Sequence, residues 1–96
     1  MGNLFSSVND NHILFITNAV LHYNEYIKKN ENIYRGEKEG DKEEAGRKIA
    51  NYLEQHKNVF NQGIKYYDYY YPRQEALRYK KQILRIKELK EEFQTD

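Results

Sequence analysis

The sequence has no cysteine and no tryptophan, and it has one proline among its 96 residues. The lack of cysteine excludes disulfides, thiolate zinc ligands, thiol nucleophiles and palmitoylation of this chain. The longest uninterrupted apolar run is Ile13–Ile16, which has only four residues. A membrane-spanning helix needs about 20 such residues, so none is predicted, and no apolar segment typical of a secretory signal is present.

Positive and negative charges are nearly equal in number, with 16 Lys and Arg against 15 Asp and Glu and a net charge of +1. This net charge therefore does not indicate a protein that binds nucleic acid through the overall attraction of its charge. Disordered chains usually combine low hydrophobicity with high net charge, and this chain has only the first property. Its ten tyrosines add large apolar rings to the potential core. We expect one folded domain, because 96 residues leave no room for a second core.

The spacing of apolar residues predicts an all-α fold. Three amphipathic helices, at about 10–33, 41–61 and 72–93, are expected to form a small antiparallel bundle, with helices 1 and 3 available for dimerisation. Asp10 or Asn11 is the predicted N-cap of the first helix, and Gly63 is the predicted stop of the second. The tyrosine-rich stretch 64–71 is expected to be a connector or an irregular first turn. Residues 1–9 form a flexible acylation segment in this prediction, residues 10–93 a single helical domain, and residues 94–96 a tail.

The amino terminus, Met-Gly-Asn-Leu-Phe-Ser-Ser, matches the acceptor pattern for N-myristoylation. Gly2 would carry the acyl chain on its amine after removal of Met1. Asn3 and Ser6 are the residues that the acyl-transferase would recognise, and Leu4 and Phe5 could insert beside the chain. A single myristoyl chain binds a bilayer with a constant of only about 10⁴ M⁻¹, so stable attachment needs a second signal.

The basic excess of the chain offers that second signal. Residues 62–90 hold eight Lys and Arg against three acidic residues, a net charge of +5. A basic amphipathic helix is typical of a surface that meets an anionic membrane leaflet, although a plain solvated face has the same pattern. The residues predicted to bind a membrane or another anionic surface are Arg73, Arg78, Lys80, Lys81, Arg85 and Lys87.

Five tyrosines lie close together before the last predicted helix. They could form an aromatic interface, cover the end of the bundle, or stack on nucleobases. They are Tyr66, Tyr67, Tyr69, Tyr70 and Tyr71. The three histidines, His12, His22 and His56, lack the spacing of a helical metal site. No catalytic constellation is seen, so we predict no catalytic residue, no metal and no cofactor other than the covalent myristate on Gly2.

These observations together predict a non-enzymatic, myristoylated peripheral membrane protein, resembling viral matrix proteins or small membrane-docked adaptors in general plan. It would dock on the cytosolic leaflet of a eukaryotic or virus-infected cell and organise a protein partner or further copies of itself. One alternative is a soluble, cytosolic helical interaction module that forms a homodimer. Another is an RNA- or DNA-binding protein that uses residues 65–87, although nucleic acid is the weakest candidate partner.

Overall fold

The computed structural model describes residues 9–93, and these residues form helices and turns with no strand among them. The all-α prediction is therefore confirmed over this range. The elements are α1 (Asp10–His22), a π-helical turn (Tyr23–Ile27), α2 (Lys28–Tyr34), α3 (Lys42–Gln55), α4 (Lys57–Tyr70), α5 (Gln74–Leu77) and α6 (Lys80–Phe93). Of the acylation segment predicted at residues 1–9, residues 1–8 lie outside the described residues, and so does the tail predicted at residues 94–96.

The first helical arm continues without a break from α1 through the π-helical turn into α2, close to the predicted range. Its N-cap is Asn9, whose side-chain oxygen accepts a hydrogen bond from the Asn11 backbone N–H at 2.8 Å. The prediction of Asp10 or Asn11 as the N-cap was thus wrong by one or two positions, because both residues lie within the first turn of α1. Gly36, with φ of +83°, then turns the chain away from α2.

The second predicted helix differs from the structure at both its middle and its end. The helical path breaks at His56, whose φ of −116° and ψ of 33° separate α3 from α4. It then continues through Gly63 as far as Tyr70, so the tyrosine-rich stretch is helical up to that residue and is neither a connector nor an irregular first turn. Asp41 caps α3 by accepting a hydrogen bond from the Glu44 backbone N–H at 3.1 Å.

Gly63 does not stop a helix because its missing side chain serves helix packing. It is buried where α4 crosses α1, and a β-carbon at this position would overlap that of Ala19 and lie 3.1 Å from the Phe15 carbonyl oxygen. Two small residues at the crossing allow the backbones of α1 and α4 to approach closely. This tertiary contact outweighs the poor intrinsic helix propensity of glycine.

Replacement of Gly63 by alanine is expected to destabilise the fold by about 1–3 kcal/mol, because the overlap with Ala19 costs more than the gain of about 1 kcal/mol in helix propensity. Urea denaturation measures the change. The control is Asn58→Ala on the exposed side of α4, expected to change the unfolding free energy by less than about 0.5 kcal/mol. A stabilised Gly63→Ala protein would show that α1 and α4 are not in close contact.

The helices pack in pairs around one core. α1 packs on α4 and α2 packs on α3, and α6 contacts both pairs. α1 and α4 are antiparallel, since His12 of α1 lies beside Tyr70 while His22, ten residues later, lies beside Phe60. The completely buried apolar side chains are Ile16, Ala19, Ile27, Ile49, Leu53, Ala76, Ile83, Ile86 and Leu89. The helix predicted at 72–93 is instead divided into the short helix α5 and the longer helix α6 by a turn at residues 78–79, and Pro72 lies in the turn before α5.

Candidate functional site

The five clustered tyrosines are divided between the core and the surface by the helical period of α4. Tyr67 and Tyr70 are buried, and Tyr66 is half-buried and stacks on the His12 ring at 4.0 Å between centroids. Tyr69 and Tyr71, in contrast, are 73% and 45% exposed. The cluster thus closes the contact between α1 and α4 with some rings and presents others to solvent.

A shallow groove lies between the last turn of α4 and the first two turns of α6. We call it the tyrosine groove, and its lining residues are Tyr67, Asp68, Tyr71, Lys80, Leu84 and Lys87. Leu84 is a 43% exposed apolar side chain flanked along α6 by two lysines. The Lys87 ammonium pairs with the Asp68 carboxylate at 2.7 Å, and no residue of 9–93 forms an ion pair with Lys80. The groove therefore combines an aromatic ring, an aliphatic side chain and an uncompensated cation.

The first described residue, Asn9, is tied directly to this end of α4. Its backbone N–H donates a hydrogen bond to the Tyr70 hydroxyl at 3.2 Å, and that hydroxyl lies 2.7 Å from His12 Nδ1. Tyr71 of the tyrosine groove follows Tyr70 in the chain. Asn9 thus lies at the end of α4 that also carries Tyr71.

The predicted anion-binding residues separate onto two sides of α6. Lys80 and Lys87 line the tyrosine groove, whereas Lys81 and Arg85 line a second groove on the side of the π-helical turn. Arg78 lies beside α5, and Arg73 lies just before that helix. The structure does not gather all six into one patch, and Arg85 and Lys87 form ion pairs within the chain.

A buried carboxylate accounts for the position of Arg85. Glu31 is only 2% exposed, and its side chain accepts a hydrogen bond from the Tyr23 hydroxyl at 2.5 Å. It also pairs with the Arg85 guanidinium at 2.6 Å and with Arg35 at 3.1 Å. Burial and the hydrogen bond to Glu31 raise the pKa of Tyr23 to about 12, so Tyr23 remains a protonated donor at neutral pH.

Sequence reasoning overlooked this cluster, although one signal for it was present. The apolar stripe of the first helix runs through Tyr23 and Ile27 to Tyr34, and Glu31 occupies the place four residues after Ile27 where another apolar residue is expected. An acidic residue on a buried stripe needs cationic or hydrogen-bonding partners, since an unpaired buried charge is very costly. The two arginines are those partners.

Two histidines that are far apart in the sequence come together at the break between α3 and α4. The His22 ring lies 5.3 Å from that of His56 between centroids, and its Nδ1 lies 2.7 Å from the Tyr52 hydroxyl. Burial lowers the pKa of His22, and the neighbouring His56 lowers it further. Within residues 9–93 no group of three or more His, Asp or Glu side chains is arranged to hold a metal ion.

Within the described part of the chain, no helix is both long enough and apolar enough to cross a bilayer. Comparisons with protein-family models, with curated proteins and with solved structures found no match to this chain.

Proposed function

We propose that the chain is a non-enzymatic, N-myristoylated peripheral membrane protein that docks through the Gly2 acyl chain and the tyrosine groove. In this proposal its helical segments act as an antiparallel three-armed bundle, in which the continuous arm α1–α2, the kinked arm α3–α4 and the arm α5–α6 form one body. It would bind the cytosolic leaflet of a eukaryotic or virus-infected cell and organise partner proteins there, in a matrix-like or adaptor role.

The observation that carries this proposal is the hydrogen bond between the Asn9 backbone and the Tyr70 hydroxyl. Gly2 is seven positions before Asn9, and an extended chain spans at most about 3.6 Å per residue, so the acyl group can lie within about 25 Å of this point. Tyr71 and Lys80 line the groove at the same end of α4. An acyl chain attached at Gly2 and a surface that includes Lys80 could therefore contact one leaflet together.

The chemistry of the tyrosine groove suits a membrane interface. Amphipathic aromatic rings such as that of the exposed Tyr71 are enriched at headgroup depth, and the aliphatic Leu84 can enter the boundary of the acyl chains. A lysine near an anionic leaflet contributes about 1 kcal/mol. Lys80 and Arg78 together would strengthen the weak binding of a single myristoyl chain by about thirtyfold.

Flotation of the acylated protein with lipid vesicles tests the groove. Lys80→Glu is expected to weaken binding to vesicles containing phosphatidylserine by about tenfold to thirtyfold, because two units of charge change beside the leaflet. The same variant should bind neutral phosphatidylcholine vesicles as the wild type does.

Lys48→Glu supplies the matched control, since it makes the same charge change on α3, which does not line the tyrosine groove. It is expected to lower binding by less than about threefold, through net charge alone. Equal losses for the two variants would contradict a specific role of the tyrosine groove.

A soluble homodimeric interaction module is the second candidate, and one observation favours it. Leu14 and Leu21 are 55% and 51% exposed, and their spacing of seven residues places them on the same side of α1. A second copy of this helix could cover them. A mass in lipid-free solution that rises with protein concentration would support this candidate.

A further inference from the structure

A cluster of aromatic rings lies at the opposite end of α4 from the tyrosine groove, where the last residue of α1 meets the break between α3 and α4. We call it the histidine joint, and its members are His22, Tyr26, Tyr52, His56 and Phe60. The His22 and His56 rings lie 5.3 Å apart between centroids, and the His56 ring lies 4.2 Å from that of Tyr52. The buried Phe60 ring meets the His22 ring edge-on at 6.2 Å. The joint therefore connects three helices through side-chain rings.

A hydrogen bond fixes the position of the His22 ring. Its Nδ1 lies 2.7 Å from the Tyr52 hydroxyl, which can donate to an unprotonated Nδ1 or accept from a protonated one. Because the bond remains possible after protonation, it keeps a charged His22 ring beside His56 for as long as the joint is closed.

The histidine joint favours neutral rings over charged ones. His22 and His56 are both half-buried, and neither forms an ion pair with a residue of 9–93. Two positive charges 5.3 Å apart in such a site repel each other more strongly than in water, because the surrounding protein screens them less. Protonation of both rings therefore opposes the contact between α1 and the break at His56.

The other groups around His22 compensate this repulsion only in part. They are Tyr26 and Tyr52, which are neutral in this pH range, and the carboxylate of Glu25. Burial lowers the pKa of His22 most, His56 lowers it further, and Glu25 raises it by less. Because this pKa is lowered in the folded state, the joint contributes its full stability above the ordinary value of 6.5 and loses it as the pH falls through the lowered pKa.

We infer that His22 and His56 form a proton-sensitive switch, in which the joint is closed when both rings are neutral and α1 separates from the α3–α4 break when both are protonated. Histidine changes its charge between about pH 5 and 8, so mild acidification operates the switch. The other end of the contact between α1 and α4 has a single histidine, His12, which lies beside tyrosine rings. The opening is therefore local. It involves neither Gly2 nor the tyrosine groove, so it is independent of the proposed acyl anchor.

Urea denaturation of the full unacylated chain at about pH 7.5 and about pH 5.5 tests the switch, because most carboxylates stay ionised over this interval. The unfolding equilibrium constant of the wild type is expected to rise on acidification about fivefold more than that of His22→Gln or His56→Gln. Glutamine removes the titrating ring from one side of the pair. Each variant is compared with itself at the two pH values, so a loss of packing that is the same at both does not affect the result.

His12→Gln is the matched control. His12 Nδ1 also lies 2.7 Å from a tyrosine hydroxyl, that of Tyr70, but no second histidine ring is beside it among residues 9–93. This variant should keep the pH dependence of the wild type to within about twofold. If His56→Gln kept the full pH dependence, or if His12→Gln lost as much of it as His22→Gln, the inference would be overturned.

NMR distinguishes an opened joint from a closed one that is merely strained. Nuclear Overhauser contacts between the His22 and His56 rings are expected at about pH 7.5 and should be lost at about pH 5.5, where both rings are charged. Contacts between His12 and Tyr66, whose rings stack at 4.0 Å, should persist at both pH values. Persistence of the contacts between His22 and His56 with both rings protonated would contradict the switch, and so would loss of both sets together.

Discussion

Gly2→Ala is expected to move the protein from the membrane fraction of eukaryotic cells to the soluble fraction. Alanine at this position blocks transfer of the myristoyl chain, whose membrane association constant is about 10⁴ M⁻¹. The basic side chains of the tyrosine groove contribute only about 1 kcal/mol each, which is too little to hold the protein on a membrane without the acyl chain. Fractionation followed by immunoblotting measures the distribution.

Ser7→Ala provides the control for this prediction, because it changes the same segment at a position outside the acceptor pattern. It should remain with the membranes. If the wild type and Gly2→Ala are both soluble, the anchor proposal is wrong and the homodimeric module becomes the leading function. If both remain on membranes, attachment has another cause.

Arg85→Met is expected to lower the free energy of unfolding by about 3 kcal/mol at neutral pH. The substitution keeps much of the apolar stem of Arg85 but removes the cation 2.6 Å from the buried Glu31 carboxylate. Removal of one partner of a buried ion pair typically costs about 3–5 kcal/mol, and the remaining bonds from Tyr23 and Arg35 place this case at the lower end. Chemical denaturation with urea gives the difference.

Lys81→Met is the matched control, one turn earlier on α6, with no ion pair to any residue of 9–93. It should change stability by less than about 0.5 kcal/mol. The double variant Glu31→Gln/Arg85→Met should lose less stability than the sum of the two single variants, since the two side chains interact directly. Strict additivity would contradict the contact between Arg85 and Glu31.

The predictability of the fold depended on whether local pattern and tertiary packing agreed. From Ile13 to Tyr34 the apolar spacing and the absence of breakers point to one helix, and that helix is present. At Gly63 the local pattern and the tertiary packing conflict. Glycine locally indicates the end of a helix, but in the fold it allows α4 to cross α1 closely. The break at His56 has no glycine or proline to mark it, so a periodicity argument passes over it.

The candidate site was likewise predictable only in part. The basic character of α6 and the cluster of tyrosines were visible in the sequence, but which cations are neutralised was not. Arg85 and Lys87 have partners 54 and 19 residues away along the chain, and no local spacing reveals such pairs. The groove beside the π-helical turn likewise brings together Lys28 and Lys81 from two helices.

The central claim is that Gly2 carries a myristoyl chain, and the mass of the amino-terminal peptide tests it most directly. The peptide would be isolated from protein expressed in eukaryotic cells and measured by mass spectrometry. The account predicts that Met1 is removed and that the peptide has the added mass of one myristoyl group on Gly2. A peptide that retains Met1, or that begins with a free or acetylated Gly2, would contradict it.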